Sequence, residues 1–284
     1  MPAPLFSEGT ALNAHIGKGY ELTSTYTYLP NLSPIGGVTS AGGTETYRWV
    51  QGGCTDGTYY YCCMTTDNTV APAKGVILKY DLATQELVKT SAEVNMGHMN
   101  DAVYNPDNHT ILISELKTKQ NVSDDYTYTN KHYVVDPDTL TVKDTVEFPA
   151  SGTIAYDDVR NRYICSTNSY FYFYNQNFEL VDQVAITNLF TDYGTGSQAR
   201  QGITCDEKYI YQLTYWQSAS DSTDIRCEIV VYDVVTGAYV QRIPLNMGRE
   251  VENIFIWNDA FYIVCNNLTW TGAACYRVEV QPQS

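Results

Sequence analysis

Five times along this chain a short apolar run meets an Asp- or Asn-rich turn and then a second apolar run. The copies are "QGGCTDGTYYYCC" from Gln51, "NDAVYNPDNHTILI" from Asn100, "GTIAYDDVRNRYIC" from Gly152, "QGITCDEKYIYQL" from Gln201 and "NIFIWNDAFYIVC" from Asn253. Their starts are spaced by 49, 52, 49 and 52 residues. So even a period requires one supersecondary unit used five times, each burying its apolar faces against its neighbours. A third run follows in each copy, ending at Asp81, Asp136, Asn175, Asp233 and Val280. Asp and Asn at such ends favour tight turns, because their side chains bond their own backbone. A fourth, more polar run follows four of those turns: "QELVKTSAEV", "LTVKDTVEF", "FELVDQVAI" and "AYVQRIPL". Its alternation suits an outer strand with one face in water.

Each unit therefore reads as a four-stranded antiparallel sheet, and helical periodicity is nearly absent. The fifth copy lacks its fourth run, but "GYELTSTYTYL" at 19–29 has the right alternation at the other end of the chain. A strand there completes the last sheet, ties the two ends of the repeat together and protects the sheet edges. The expected fold is all-β, a single five-bladed β-propeller over 1–284 closed by that N-terminal strand. Its blades fall at about 48–94, 98–148, 151–186, 200–245 and 250–280. A pair of β-sandwiches leaves the even spacing unexplained.

Acidic residues outnumber basic ones, 32 to 17, for a net charge of −15. That balance argues against nucleic acid and against insertion into or attraction to an anionic membrane, since both nucleic acid and such a surface call for a basic face. The 25 Tyr and 4 Trp suit strands and recognition surfaces alike. The first residues, "MPAPLFSEGT", carry neither a basic n-region nor an apolar h-region, so no signal peptide is expected. No apolar run reaches the length of a transmembrane helix. The cysteines, at 54, 62, 63, 165, 205, 227, 265 and 275, form no CxxC pair and lie mostly in apolar runs, as buried reduced thiols do. Cys265 and Cys275 flank a hairpin turn symmetrically, which leaves an adjacent-strand disulfide as the alternative there.

In a propeller the turns joining strands 1–2 and 3–4 lie on one face. The 2–3 loops and the blade-to-blade connections lie on the other. Here the first set is short and the second long and varied: 30–47, 64–74, 116–131, 187–199 and 215–224. Long loops on one side of a rigid scaffold usually carry function, so a site is expected on the long-loop face at the mouth of the central channel. The residues opening the inner strands meet there, Ser151 and Asn253 among them. The expected ligand-binding set is Trp49, Gln51, His98, Asn100, Asp101, Arg200, Gln201, Trp216, Glu250 and Glu252, with no catalytic residue, no metal and no cofactor. Such groups suit hydrogen bonding to a polyhydroxylated ligand, with Trp49, Tyr47 or Trp216 stacking on it. The alternative is that they bond one another and channel water.

Two reactive readings stand beside this one. A polysaccharide hydrolase or lyase would use a carboxylate pair at the mouth, drawn from Asp101, Glu250 and Glu252; hydrolysis needs two carboxyls about 5 Å or 6.5–9.5 Å apart. A Ca²⁺ site would use His98, Asp101 and one of the glutamates. His15, His109 and His132 fall in a tail, a turn and an outer region and are assigned no role. No GxSxG, P-loop, HExxH or GxGxxG occurs.

The segments "QGGCTDGTYYY", "GHMNDAVYNP" and "RQGITCDEKYIYQL" resemble units of five-bladed propellers in bacterial cell-wall-associated proteins and in receptor-binding proteins of phages that attack Gram-positive bacteria. Some members of that group are described as similar to a teichoic acid biosynthesis protein. The resemblance spans roughly 48–280 and its motifs are structural ones. It implies non-enzymatic recognition of a bacterial cell-surface glycan, on a virion or cell surface, or otherwise in the cytoplasm. A structural virion or assembly protein, whose partners are other virion proteins, is the alternative it leaves open.

Overall fold

The computed structural model describes residues 14–66, 73–118, 121, 123–125, 127–149, 152–190, 194–266 and 272–283. Ser151 and parts of the 64–74, 116–131 and 187–199 loops lie outside them. Five four-stranded antiparallel sheets form. Blade I is Trp49–Thr55, Tyr59–Thr65, Gly75–Asp81 and Leu87–Thr90. Blade II is Asp101–Asn105, Thr110–Ser114, Lys131–Val135 and Val142–Glu147. Blade III is Thr153–Asp157, Arg162–Ser166, Tyr170–Tyr174 and Leu180–Ala185. Blade IV is Gly196–Cys205, Tyr209–Ser218, Ile225–Asp233 and Tyr239–Leu245. Blade V is Val251–Trp257, Ala260–Asn266 and Ala273–Pro282, completed by Leu22–Tyr28 from the N-terminal end. That closing strand pairs in unbroken register from Leu22↔Pro282 to Tyr28↔Tyr276. The chain is a five-bladed β-propeller closed as its repeat predicts.

The apolar runs are explained by what each sheet packs against. Five clusters of buried side chains fill the five spaces between successive blades, so the middle strands are covered on both faces. The outer strands of blades I, II and III are instead exposed along nearly their whole length, while those of blades IV and V are buried in part. The Asp and Asn residues act as their positions predict. Asp136 Oδ1 accepts the N–H groups of Asp138 and Thr139 at 2.9 and 2.8 Å, and Asp233 Oδ1 those of Val235 and Thr236 at 3.0 and 2.8 Å. At the inner turns of blades I and IV the device is duplicated. Asp56 and Asp206 each accept two backbone N–H groups on Oδ1 and a Tyr hydroxyl, Tyr61 or Tyr211, on Oδ2.

The disulfide alternative at Cys265 and Cys275 is set aside, and two expectations are corrected. Cys265 pairs with Ala274 and Cys275 with Val264, one position out of step. Their side chains enter different inter-blade clusters on opposite faces of the sheet, and both thiols are free. His132 is not in an outer region. It sits fully buried on the third strand of blade II, its ring stacked on Phe148 at 3.9 Å between centroids. The 215–224 segment is only partly a loop, because Tyr215–Ser218 continues the second strand of blade IV.

Candidate functional site at the channel mouth

The inner strands run beside the axis and open on the long-loop face. In three of them the ladder slips where they open: between Val50 and Gly52, between Arg200 and Ile203, and between Val251 and Asn253. Residues in such bulges leave the pairing and are re-aimed. Gln51, Gln201 and Glu252 are among them, and all three line a hollow of about 280 Å³ at the mouth. The remaining wall is Trp49, His98, Asn100, Leu116, Lys117, Ala199, Arg200, Glu250 and Asn266. Further along the axis only about 50 Å³ is left between the inner strands, around residues such as Gly53, Ala102, Ala155, Ile203 and Ile254.

Asp101 occupies the level between these two spaces. Its Oδ1 accepts from the Ala102 N–H at 2.9 Å and from Asn253 Nδ2 at 3.4 Å. Its Oδ2 accepts from the N–H groups of Ile154 and Ile203 at 3.0 and 3.3 Å. Those donors come from blades II, V, III and IV. Blade I reaches the same point through Gly52, where a Cβ would stand 2.6 Å from the Asp101 Cα, so only glycine allows the approach. Burial pushes this carboxyl well above the usual range, while the donors pull it back. Asp101 is an axial pin that joins the blades.

Other polar groups at strand openings also bridge blades. Asn100 Nδ2 donates to the Gly152 carbonyl at 3.0 Å, Asn253 Nδ2 to that of Gly53 at 2.7 Å, and Gln201 Nε2 to Glu250 Oε1 at 3.1 Å. Asn266 accepts from the Val50 N–H at 3.1 Å and donates to Glu252 Oε1 at 2.6 Å. Burial, and then the charge of Glu250, raises the Glu252 carboxyl well above its ordinary range; burial also raises Glu250. Burial lowers Lys117, opposed by both glutamates. Burial pushes Arg200 down to about 10. Its Nε donates to Asn168 Oδ1 at 2.9 Å and its Nη1 to the Ser166 carbonyl, which braces it against blade III. His98, recessed in the wall, is held down to about 3 by burial and by Lys117. Its neutral ring therefore offers one donor and one acceptor near pH 7. The hollow as a whole alternates donors and acceptors over a short distance, with an indole at its edge. Its two carboxyls come from one segment, Glu250 just before the first strand of blade V and Glu252 on it, and no described lining residue places another opposite them, as a glycosidase pair would need.

No family model and no curated protein matches the chain. Among solved structures it is similar to the tail fiber of a Staphylococcus aureus phage, at 15% identity and a TM-score of 0.53, over 89% of this chain and 52% of that one. The chain thus spans about half the length of that tail fiber. It is also similar to the hydrazine synthase of Kuenenia stuttgartiensis, at 12% identity and a TM-score of 0.42, over 87% of this chain and 66% of that one. A β-propeller domain from Myceliophteria thermophila matches at 8% identity and a TM-score of 0.44, over 88% of this chain and 99% of that one. What the chain shares with the tail fiber at that identity is the fold.

The structure gathers Trp49, Gln51, His98, Asn100, Arg200, Gln201, Glu250 and Glu252 around one hollow. Asp101 and Trp216 are not part of its wall. Asp101 spends both oxygens on the pin. Trp216 is buried on blade IV beside Phe190 and Gln198, with the Arg226 guanidinium 5.1 Å from its ring centre. Tyr47 is also buried elsewhere, its hydroxyl donating to Glu93 at 2.6 Å. Among the described residues no three His, Cys, Asp or Glu side chains gather as metal ligands would, so His98 and Asp101 do not meet a glutamate in that way. Lys117 and Asn266 join the wall without a prior signal. Lys117 arrives because its carbonyl accepts from the His98 N–H at 3.1 Å, which holds the start of the 2–3 connection of blade II beside the mouth.

Proposed function

We propose that this chain is a recognition module that binds cell-surface carbohydrate, without turning it over, in the hollow at the channel mouth. The observation that carries this reading is the lining: Gln51, Asn100, Gln201, Lys117 and Arg200 beside carboxyls and a neutral imidazole, with Trp49 at the edge. A sugar ring presents hydroxyls around apolar faces, which hydrogen-bonding groups and an aromatic platform satisfy together. Strands, bulges and inter-blade bonds hold the groups in place, so little ordering is lost on binding. The fold shared with a phage tail fiber supports display on a virion surface, with a bacterial surface glycan as ligand. An array of bacterial wall and capsular glycans tests this. Wild type is expected to bind a subset of them, and Trp49→Ala to bind the same subset about tenfold more weakly, ~1.4 kcal/mol. A wild-type array blank throughout contradicts the proposal.

One observation supports an assembly role instead. The outer strands of four blades expose apolar residues just past their turns: Leu87 and Val88, Val142, Leu180 and Val181, and Tyr239. A recurring band of this kind suits contact with neighbouring chains. Cross-links from that band to other proteins in purified particles would favour it.

A further inference from the structure

Blade IV stands taller than its neighbours on the long-loop face. Its first two strands run 10 residues each, where those of blades I and V run 7 and those of blades II and III run 5. The added length is a paired overhang, from Gly196↔Ser218 to Arg200↔Thr214. Its tip is fixed by its own bonds. Asp221 Oδ1 accepts the Thr223 N–H at 2.9 Å, Gln217 Nε2 donates to the Ser222 carbonyl at 2.8 Å, and the Ser218 N–H to the Asp224 carbonyl at 3.0 Å. Side chains alternate across this ribbon. Trp216 packs on one side. Tyr215 and Gln217, on the other, join Ser197, Ser222 and Thr223 around a second hollow of about 610 Å³. Arg249 and Glu250 close it on the blade V side, and it shares Glu250 and Asn266 with the axial hollow.

We infer that the two hollows are one cleft running from the axis to the rim between blades IV and V, and that it takes a glycan chain rather than a single sugar. One unit lies in the axial hollow and the next ones lie along the overhang. The inference rests on the carbohydrate reading above and deepens it. Three observations support it. The second hollow shares with the first an amide, a guanidinium and an aromatic ring, and adds the hydroxyls of Ser197, Ser222 and Thr223. It is also the larger of the two, whereas the axial hollow alone falls just under the usual range of about 300–1,000 Å³ for ligand pockets. Its wall is ordered before any ligand arrives, which lowers the cost of binding. Arg249, with its guanidinium 5.5 Å from the Tyr276 ring centre, is the cation that meets the outer units.

The test is an array that carries each bacterial wall and capsular glycan as fragments of graded length, from a single sugar upward. It is probed with wild type, Ser222→Trp, Arg249→Ala and Gln51→Ala, each checked for a wild-type melting curve. For wild type the affinity for a short chain is expected to exceed that for a single sugar by about tenfold or more. Ser222→Trp fills the second hollow and brings that ratio down to about one, and Arg249→Ala lowers it in part. Gln51→Ala weakens every length alike. A wild-type affinity independent of length overturns the inference and leaves the carbohydrate reading standing. So does a length ratio that survives intact in both Ser222→Trp and Arg249→Ala. An array blank for wild type at every length overturns both.

Discussion

The Asp101 carboxylate accepts two donors on each oxygen, so Asp101→Asn would turn an amide NH₂ toward groups that can only donate. A buried donor facing donors costs its whole desolvation, and two of the four donors lose their acceptor. Unfolding by denaturant should show a loss of about 1–3 kcal/mol; an unchanged midpoint would contradict the pin. Nothing local in "HMNDAV" announces this role, because the partners on blades III, IV and V stand 53, 102 and 152 residues away. His132 makes a second residue-scale prediction. Burial holds its imidazole down to about 4, against about 6.5 in an unfolded chain. As pH falls through that window the unfolded state takes up a proton that the folded state refuses, so stability drops. Between about pH 7 and about pH 5 the loss from this one group is about 2 kcal/mol. Glu252 has the opposite sign: its raised carboxyl supports the fold at low pH, and that support fades as pH rises through its folded value. Comparing wild type with His132→Phe at the two pH values isolates the histidine; the variant should lose less stability on acidification, and equal losses would refute the assignment.

At the scale of elements, the closing strand is the piece whose removal is most informative. Leu22–Tyr28 pairs along one edge of Ala273–Pro282, from Tyr276 to Pro282, with Leu29, Ser33 and Pro34 bonding the start of that strand, and Leu22 is buried in the cluster between blades IV and V. Burying such a side chain is worth about 1.5–3 kcal/mol, and each ladder bond about 1 kcal/mol. A chain begun at Leu29 should melt about 10 °C lower or more and associate through its open edge, as calorimetry and size-exclusion chromatography would show. A melting point and elution volume equal to those of wild type would contradict the closure. The strands and turns of all five blades were legible in the repeat, because a period-2 pattern and a turn-forming Asp or Asn are local properties. The overhang of blade IV was not. "YWQSASDSTD" is polar and Ser-rich and reads as a loop, yet its first part is held as strand by pairing with Gly196–Arg200. Trp216 went astray with it: as part of a flexible loop it could have reached a ligand, but in a strand its side chain is committed to the far face.

For the molecule as a whole, the two faces differ, and the difference follows from the lengths of the connections. Short Asp/Asn turns make one face nearly uniform. On the other, Leu116 and Lys117 of blade II reach the mouth, blade IV projects, and the inner strands bulge to aim Gln51, Gln201 and Glu252 at one hollow. Within a chain of net charge −15, Lys117 and Arg200 line this mouth and Arg249 the hollow beside it, so the site is not simply an extension of the acidic surface. The position of the mouth could be read from strand order alone. Its composition could be read only in part, since the wall is drawn from blades I, II, IV and V, and Asn266 and Lys117 enter through a second strand and a loop rather than through the opening of an inner strand. The most direct measurement is a crystal structure of the chain with the glycan that binds it best on the array. Sugar density in the axial hollow, stacked on Trp49 and within hydrogen-bonding distance of Gln51 or Gln201, is the predicted result. Sugar bound only on the outer strands or the short-turn face, with the mouth holding water alone, would contradict the account.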